Sequence, residues 1–180
     1  LQMPNKTYQS FIRDISDHKQ ANENLRESEE RYRMFIEQTS DGVFRMEFDE
    51  PMRLGLPVEE LIDFIYDHGI VVECNNAFMK MYDTDNPADI IGKRQIDFHG
   101  GRDNPANRSV LRKYVLDNFN VHQEETREFD IRGNVRYFSN SSVGIFKDGN
   151  LIRIWGTQTD ITEKKKSELE LIKAKEKAEE

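Results

Sequence analysis

The chain has 180 residues, 36% hydrophobic and 33% charged, with a formal net charge of -8. This length and balance fit one globular domain with charged extensions and exclude a large multidomain enzyme. No window reaches the roughly 18 apolar residues of a membrane span, and the acidic excess disfavours nucleic-acid binding, because the one basic run, Lys164 to Lys166, is flanked by Glu163 and Glu168.

Cys74 is the only cysteine, so neither an internal disulfide nor a cysteine-built zinc site fits within one chain. The opening Leu1-Gln2-Met3-Pro4 lacks the basic and apolar regions of a signal peptide, and the expected compartment is the cytoplasm.

In chain order, the first element is a helix. Asp14 to Gln38 holds no Gly or Pro, and Ile15, His18, Asn22, Leu25, Glu29, Tyr32 and Ile36 are spaced as a heptad seam with polar interruptions. Such a helix is marginal alone and predicts a partner, with weak dimers as the expected outcome. After the Asp41-Gly42 turn, Val43, Phe44, Met46 and Phe48 form a strand pattern. Pro57 opens a helix with Val58, Leu61, Ile62 and Ile65 on one face, and Gly69 closes it. Ile70 to Val72 is a second short strand. Asn75 or Asn76 caps a helix that turns Phe78, Met81 and Tyr82 inward, and Pro87 to Ile91 adds a helical turn.

A polar loop, Gly100 to Asn107, leads to a helix with Val110, Leu111, Tyr114, Val115 and Phe119 on its apolar side. Three strands follow, Glu125 to Ile131, Val135 to Phe146 and Leu151 to Thr159, separated by the hairpin signals Arg132-Gly133-Asn134 and Lys147 to Asn150. The class is α+β. A last helix runs from Asp160 to the end, with Ser167, Leu171, Ala174 and Ala178 on a weak seam. Asp160 as N-cap, with Glu163 reaching back, predicts a capping box. Asp14-Ile15-Ser16 matches Asp160-Ile161-Thr162, which suggests that two similar joints bracket the domain.

Taken together, Glu27-Ser28-Glu29-Glu30-Arg31-Tyr32-Arg33, Asp41-Gly42-Val43-Phe44, Asn75-Asn76-Ala77-Phe78, Ile91-Gly92-Lys93 and Trp155-Gly156-Thr157 ending in Asp160-Ile161-Thr162 resemble a PAS sensory domain with its PAC-type C-terminal motif. Arg136 to Asn140 with Gly144-Ile145 is similar to a bacterial and archaeal subgroup. The resemblance covers Glu27 to Lys166. It implies a five-stranded antiparallel sheet with helices on one face, flanked by N- and C-terminal signalling helices, around an interior that sometimes holds a ligand.

It further implies that residues 1–16 are the tail of a preceding PAS domain, 17–38 a connector helix, 39–162 the domain and 163–180 an outgoing linker toward an effector such as a histidine kinase transmitter. Partners are then a second copy through the flanking helices and the neighbouring domains, with no nucleic acid and no membrane in this segment. The departure from the family pattern is the insertion 51–68, expected to alter access to the pocket.

Catalytic groups do not assemble in the sequence. His18, His68, His99 and His122 are scattered, without metal-ligand spacing, and read mostly as surface residues. His99-Gly100-Gly101-Arg102-Asp103 lacks the Gly-Lys-Ser/Thr of a phosphate loop. Flavin photochemistry is disfavoured because Cys74 ends a strand, and haem because Ser109 to Phe119 carries no histidine. Candidate pocket residues are Phe44, Met46, Phe78, Tyr82, Tyr114, Phe138, Asn140, Ser142 and Trp155, suited to a small metabolite. Asn140 and Ser142 share a strand face with Phe138 and, if buried, need a ligand, water or backbone partner. Asp160, Ile161, Thr162 and Glu163 form the expected signal joint. Two functions are open at this point: a sensor and relay module without catalysis, or a structural dimerisation spacer.

Overall fold

The computed structural model describes the backbone of residues 5–179 and the side chains of residues 18–179. The seam position Ile15 and the Asp14-Ile15-Ser16 half of the repeat have their side chains outside the described residues. Internal contacts divide the chain after Gln38. The first unit is one helix, α1 (Asn5–Gln38), on which Leu25, Tyr32, Met34 and Phe35 are exposed and the i,i+4 pairs Arg26–Glu30 and Gln20–Asn24 are present.

The second unit holds the strands β1 (Gly42–Arg53), β2 (Gly69–Cys74), β3 (Asn120–Phe129), β4 (Val135–Lys147) and β5 (Asn150–Asp160). They form one antiparallel sheet in the order β2-β1-β5-β4-β3. Its helices are α2 (Val58–His68), α3 (Asn76–Met81), α4 (Gln95–His99), α5 (Pro105–Leu116) and α6 (Thr162–Glu179), with a 3-10 turn at Pro87–Asp89. This is the α+β architecture expected, a five-stranded antiparallel sheet with helices against one face and a helix at each end.

Local chemistry accounts for the joins. Asn75 caps α3 by accepting from the Phe78 N–H at 2.9 Å, and the same oxygen accepts from the Val43 N–H at 3.0 Å, so one side chain ties α3 to the start of β1. Gly42 passes so close to Phe78 and Met81 that an added Cβ would lie 3.0 Å from the Phe78 backbone. Asn104 caps α5 with Pro105 in its first turn. The β3–β4 turn closes on Asp130, whose carboxylate accepts from the backbone N–H groups of Arg132 and Asn134 and from the Arg136 guanidinium. Burial alone would raise the Asp130 pKa; the bonds from Asn134, Arg136 and Arg132 outweigh it and hold the group below its ordinary value.

Several boundaries differ from the sequence reading. α4 occupies residues that the sequence pattern assigns to no element, and α5 begins at Pro105 within the expected 100–107 loop. Phe119 lies beyond α5 in a left-handed conformation, φ 60°, and is buried from there. β3 begins at Asn120, with a register shift between Val121 and Glu124, where Gln123 has φ 55°. The 51–68 insertion extends β1 and supplies α2. That helix buries Leu61, Ile62, Ile65 and Tyr66, and Arg108 of α5 grips its outer face through Glu59 at 2.5 Å and Asp63 at 2.8 Å. Among the described residues no helix is long and apolar enough to cross a membrane.

Candidate functional site

Between the sheet and the helices lies a cavity of about 70 Å³. Strand alternation places Phe44 and Met46 of β1, Thr126 and Glu128 of β3, Asn140 and Ser142 of β4, and Ile154 and Gln158 of β5 on its wall. Ile65 of α2, Phe78, Tyr82 after α3, Gln95, Phe98 and His99 of α4, and Val110, Leu111 and Tyr114 of α5 close the other side. Gly156 makes room for one wall: an added Cβ there would sit 2.3 Å from the Phe44 ring.

Of the nine candidate residues, Phe44, Met46, Phe78, Tyr82, Tyr114, Asn140 and Ser142 line this cavity. Two do not. Phe138 is fully buried but stacks behind Tyr82, ring centroids 5.3 Å apart, as core. Trp155 alternates with Ile154 and so faces the other side of the sheet, where the Arg45 guanidinium lies 5.6 Å from its ring centroid.

The polar wall has a definite direction. Tyr82 donates to Glu128 Oε2 at 2.5 Å, and Thr126 donates to Glu128 Oε1 at 2.6 Å. Asn140 Nδ2 donates to the Thr126 hydroxyl at 2.7 Å, and Gln158 Nε2 donates to the Tyr82 hydroxyl at 3.1 Å. Both Glu128 oxygens accept, the pattern of a carboxylate. Asn140 thus finds its partner in a β3 side chain rather than in the ligand, water or backbone group that strand alternation alone suggests. Burial, then Glu128, raises the Tyr82 pKa well above its ordinary value, which keeps the phenol a donor.

His99 is the exception to the reading of the histidines as mostly surface residues, for it is 1% exposed. Its Nδ1 lies 3.0 Å from the Tyr66 hydroxyl and its Nε2 lies 2.6 Å from the Gln95 amide, with Glu128 Oε1 3.8 Å away. Burial lowers its pKa against the opposing pull of Glu128, so the ring is neutral at pH 7. Tyr114 is 5% exposed, and its hydroxyl makes no hydrogen bond. Burial raises its pKa; Ser142 beside it draws the value back without completing hydrogen-bond geometry.

Glu128, Thr126 and Gln158 are absent from the candidate set because strand residues with polar side chains read as solvent-facing, and His99 because an isolated histidine reads as a surface residue. The available signal was period two. Gln158 keeps the phase of Ile154 and Gly156, and Thr126 the phase of Glu128.

At the exit of the domain, Asp160 Oδ1 accepts from the Thr162 N–H at 2.8 Å. The capping box does not form, because Glu163 pairs with Lys166 at 2.8 Å instead of reaching back. The stronger tie is elsewhere. The Ile161 N–H donates to the Tyr137 carbonyl at 2.9 Å, and the Tyr137 N–H donates to Thr162 Oγ1 at 3.0 Å. A threonine hydroxyl thereby replaces the backbone carbonyl that β5 would offer β4 if it continued, and Thr162 is buried. Lys165 also bonds Glu125 of β3 at 2.6 Å.

The PAS domain sequence profile matches residues 60–163, more than half of the chain. The chain belongs to the PAS domain family. The PAS fold is also seen in solved structures of low identity. The PAS domain of an HTR-like protein from Haloarcula marismortui is 16% identical with a TM-score of 0.52, over 79% of this chain and 99% of that one. An RNA-binding light-oxygen-voltage receptor is 16% identical with a TM-score of 0.55, over 82% of this chain but only 38% of the receptor. The Erythrobacter litoralis blue-light activated histidine kinase EL346 is 13% identical with a TM-score of 0.50, over 72% of this chain and 35% of the kinase. No curated protein matches the sequence at a significant level. In this PAS domain Cys74 ends β2 and is not a cavity-lining residue.

Proposed function

We propose that this PAS domain is the sensor and relay module of a signal-transduction protein, without catalysis of its own, and that it passes a ligand- or partner-induced change into a C-terminal effector. One observation supports it above the others. Asn140 and Gln158, both on the cavity wall, are paired residues of the β4–β5 ladder, and Phe138 and Asp160 form the rung two residues along, where the sheet ends at the joint with α6. A shift of the cavity wall therefore reaches Tyr137 and Thr162 through a hydrogen-bonded ladder rather than through loops.

The same proposal takes a histidine kinase as the effector, on the Lys- and Glu-rich sequence of α6 and on the likeness to a light-activated kinase. Residues 1–16 are then the tail of a preceding domain, 17–38 a connector, and 163–180 the outgoing linker, in a cytoplasmic protein. Two copies pair through the flanking helices, which expose Leu25, Tyr32, Met34 and Phe35 on α1 and Leu169, Leu171 and Ile172 on α6.

Hydrogen exchange tests the relay. Gln158→Leu removes the amide that donates to Tyr82 and should speed exchange of amides 162–166 severalfold while leaving α2 protected. Unchanged exchange at 162–166 would favour a spacer that senses nothing.

A further inference from the structure

The two hydroxyls of the polar wall, Tyr82 and Thr126, donate to Glu128, and the pattern determines what the wall still offers. The single protons of Tyr82 and Thr126 go to the carboxylate, and one amide proton each of Asn140 and Gln158 goes to those hydroxyls. What remains on that wall includes acceptor capacity, in unused lone pairs on Glu128 and the amide oxygen of Asn140, and a second lone pair on the Gln158 amide oxygen, which lies 3.3 Å from the Tyr82 hydroxyl. Two acids, Glu124 and Glu128, line the cavity, and no Lys or Arg does. Glu124 is paired with Lys113 at 2.9 Å, whereas Glu128 has the His99 ring at 3.8 Å. The Tyr114 hydroxyl, 5% exposed, completes no hydrogen bond, with Ser142 beside it as its one polar neighbour. A buried hydroxyl left without a bond is a cost that a ligand at this position would remove.

We propose that the cavity takes a small ligand rich in N–H donors, of the amidinium or guanidinium class, and rejects carboxylates and other anions. The ligand's planar N–H groups face Glu128 and the Asn140 and Gln158 amide oxygens, and one reaches Tyr114. The apolar sides of Phe44, Phe78 and Leu111 cover its faces. Size limits it further. At about 70 Å³ the space is under half of the roughly 150 Å³ cavity that admits benzene, so about three or four non-hydrogen atoms fill it. The inference rests on the reading of this cavity as a sensing site.

The test uses three molecules of equal size and different charge: acetamidinium, acetamide and acetate, titrated at matched ionic strength into the 180-residue chain and followed by amide NMR shifts. Acetamidinium should move the signals of Thr126, Glu128, Asn140 and Gln158 saturably and bind at least about tenfold more tightly than acetamide, the minimum expected of a charged hydrogen bond. Acetate should leave them in place. Glu128→Gln should abolish the preference for the cation, and Tyr114→Phe, which removes only the unpaired hydroxyl, should weaken acetamidinium severalfold in a domain that folds normally.

Acetate binding as tightly as acetamidinium would overturn the ligand class while leaving a ligand-binding sensor intact. A preference for acetamidinium that survives Glu128→Gln would place the cation on the acidic surface and overturn the proposal. Silence from all three at these four residues would overturn it too, and the exchange experiment on Gln158→Leu would then judge the relay independently.

Discussion

Thr162→Val isolates the tie between the sheet and the outgoing helix. Valine keeps the branched shape but cannot accept from the Tyr137 N–H, which now bonds Thr162 Oγ1 at 3.0 Å. Losing the partner of a buried donor costs about 1–3 kcal/mol. Tyr137 is only half-buried, so water recovers part of the loss and the expected cost is about 1–2 kcal/mol. For a unit of this size that is a fall in Tm of roughly 3–8 °C.

Asp160→Ala is the comparison. It removes the acceptor of the Thr162 N–H, but Asp160 is exposed and water replaces the carboxylate, so the cost should lie near about 0.5–1 kcal/mol. Urea denaturation gives both values, and hydrogen exchange at 161–166 localises them. The reasoning fails if Thr162→Val costs less than Asp160→Ala, or if amides 161–166 stay as protected in Thr162→Val as in the parent.

Three further outcomes follow from the same geometry. Gly156→Ala forces its methyl into the Phe44 ring and should destabilise the domain by about 1–3 kcal/mol in urea unfolding, because that ring lines the cavity and must be displaced. Tyr82→Phe leaves Glu128 short of one donor and Gln158 without its acceptor, for a loss of about 1–3 kcal/mol by the same assay. Because the folded pKa of His99 lies below its ordinary 6.5, the unfolded chain takes up a proton that the folded one refuses; the stabilisation is complete above about pH 6.5 and declines as pH falls below it. His99→Gln should flatten that decline in pH-dependent unfolding measurements.

The strands, the helix faces and the family were legible because each rests on short-range rules. Val43 to Phe48 alternate, Asn75 caps, and Gly133 and Gly149 turn the hairpins at φ 81° and 77°. The apolar half of the cavity was legible for the same reason. Trp155 has the aromatic character of a pocket wall, but strand phase with the inward Ile154 turns it to the other face of the sheet. Glu128, Gln158 and His99 were hidden because their burial depends on partners remote in sequence. Tyr82 meets Gln158 across 76 positions and Tyr66 meets His99 across 33, and no local pattern announces either pair. At the exit from β5 the expected Asp160 cap is present, but the expected reach of Glu163 back to it is not. Glu163 turns to Lys166, three residues ahead on the same helix, while Asp160 still accepts from the Thr162 N–H and the buried Thr162 hydroxyl adds a bond that extends the β4 ladder.

The most direct measurement of the relay is a double-mutant cycle between the cavity wall and the joint. Gln158→Leu, Thr162→Val and the double variant are compared by the exchange free energies of amides 163–166. A ladder that carries the cavity's state into α6 predicts a coupling of at least about 0.5 kcal/mol between the two substitutions. Strict additivity, with Gln158→Leu leaving these amides unaffected, would contradict it.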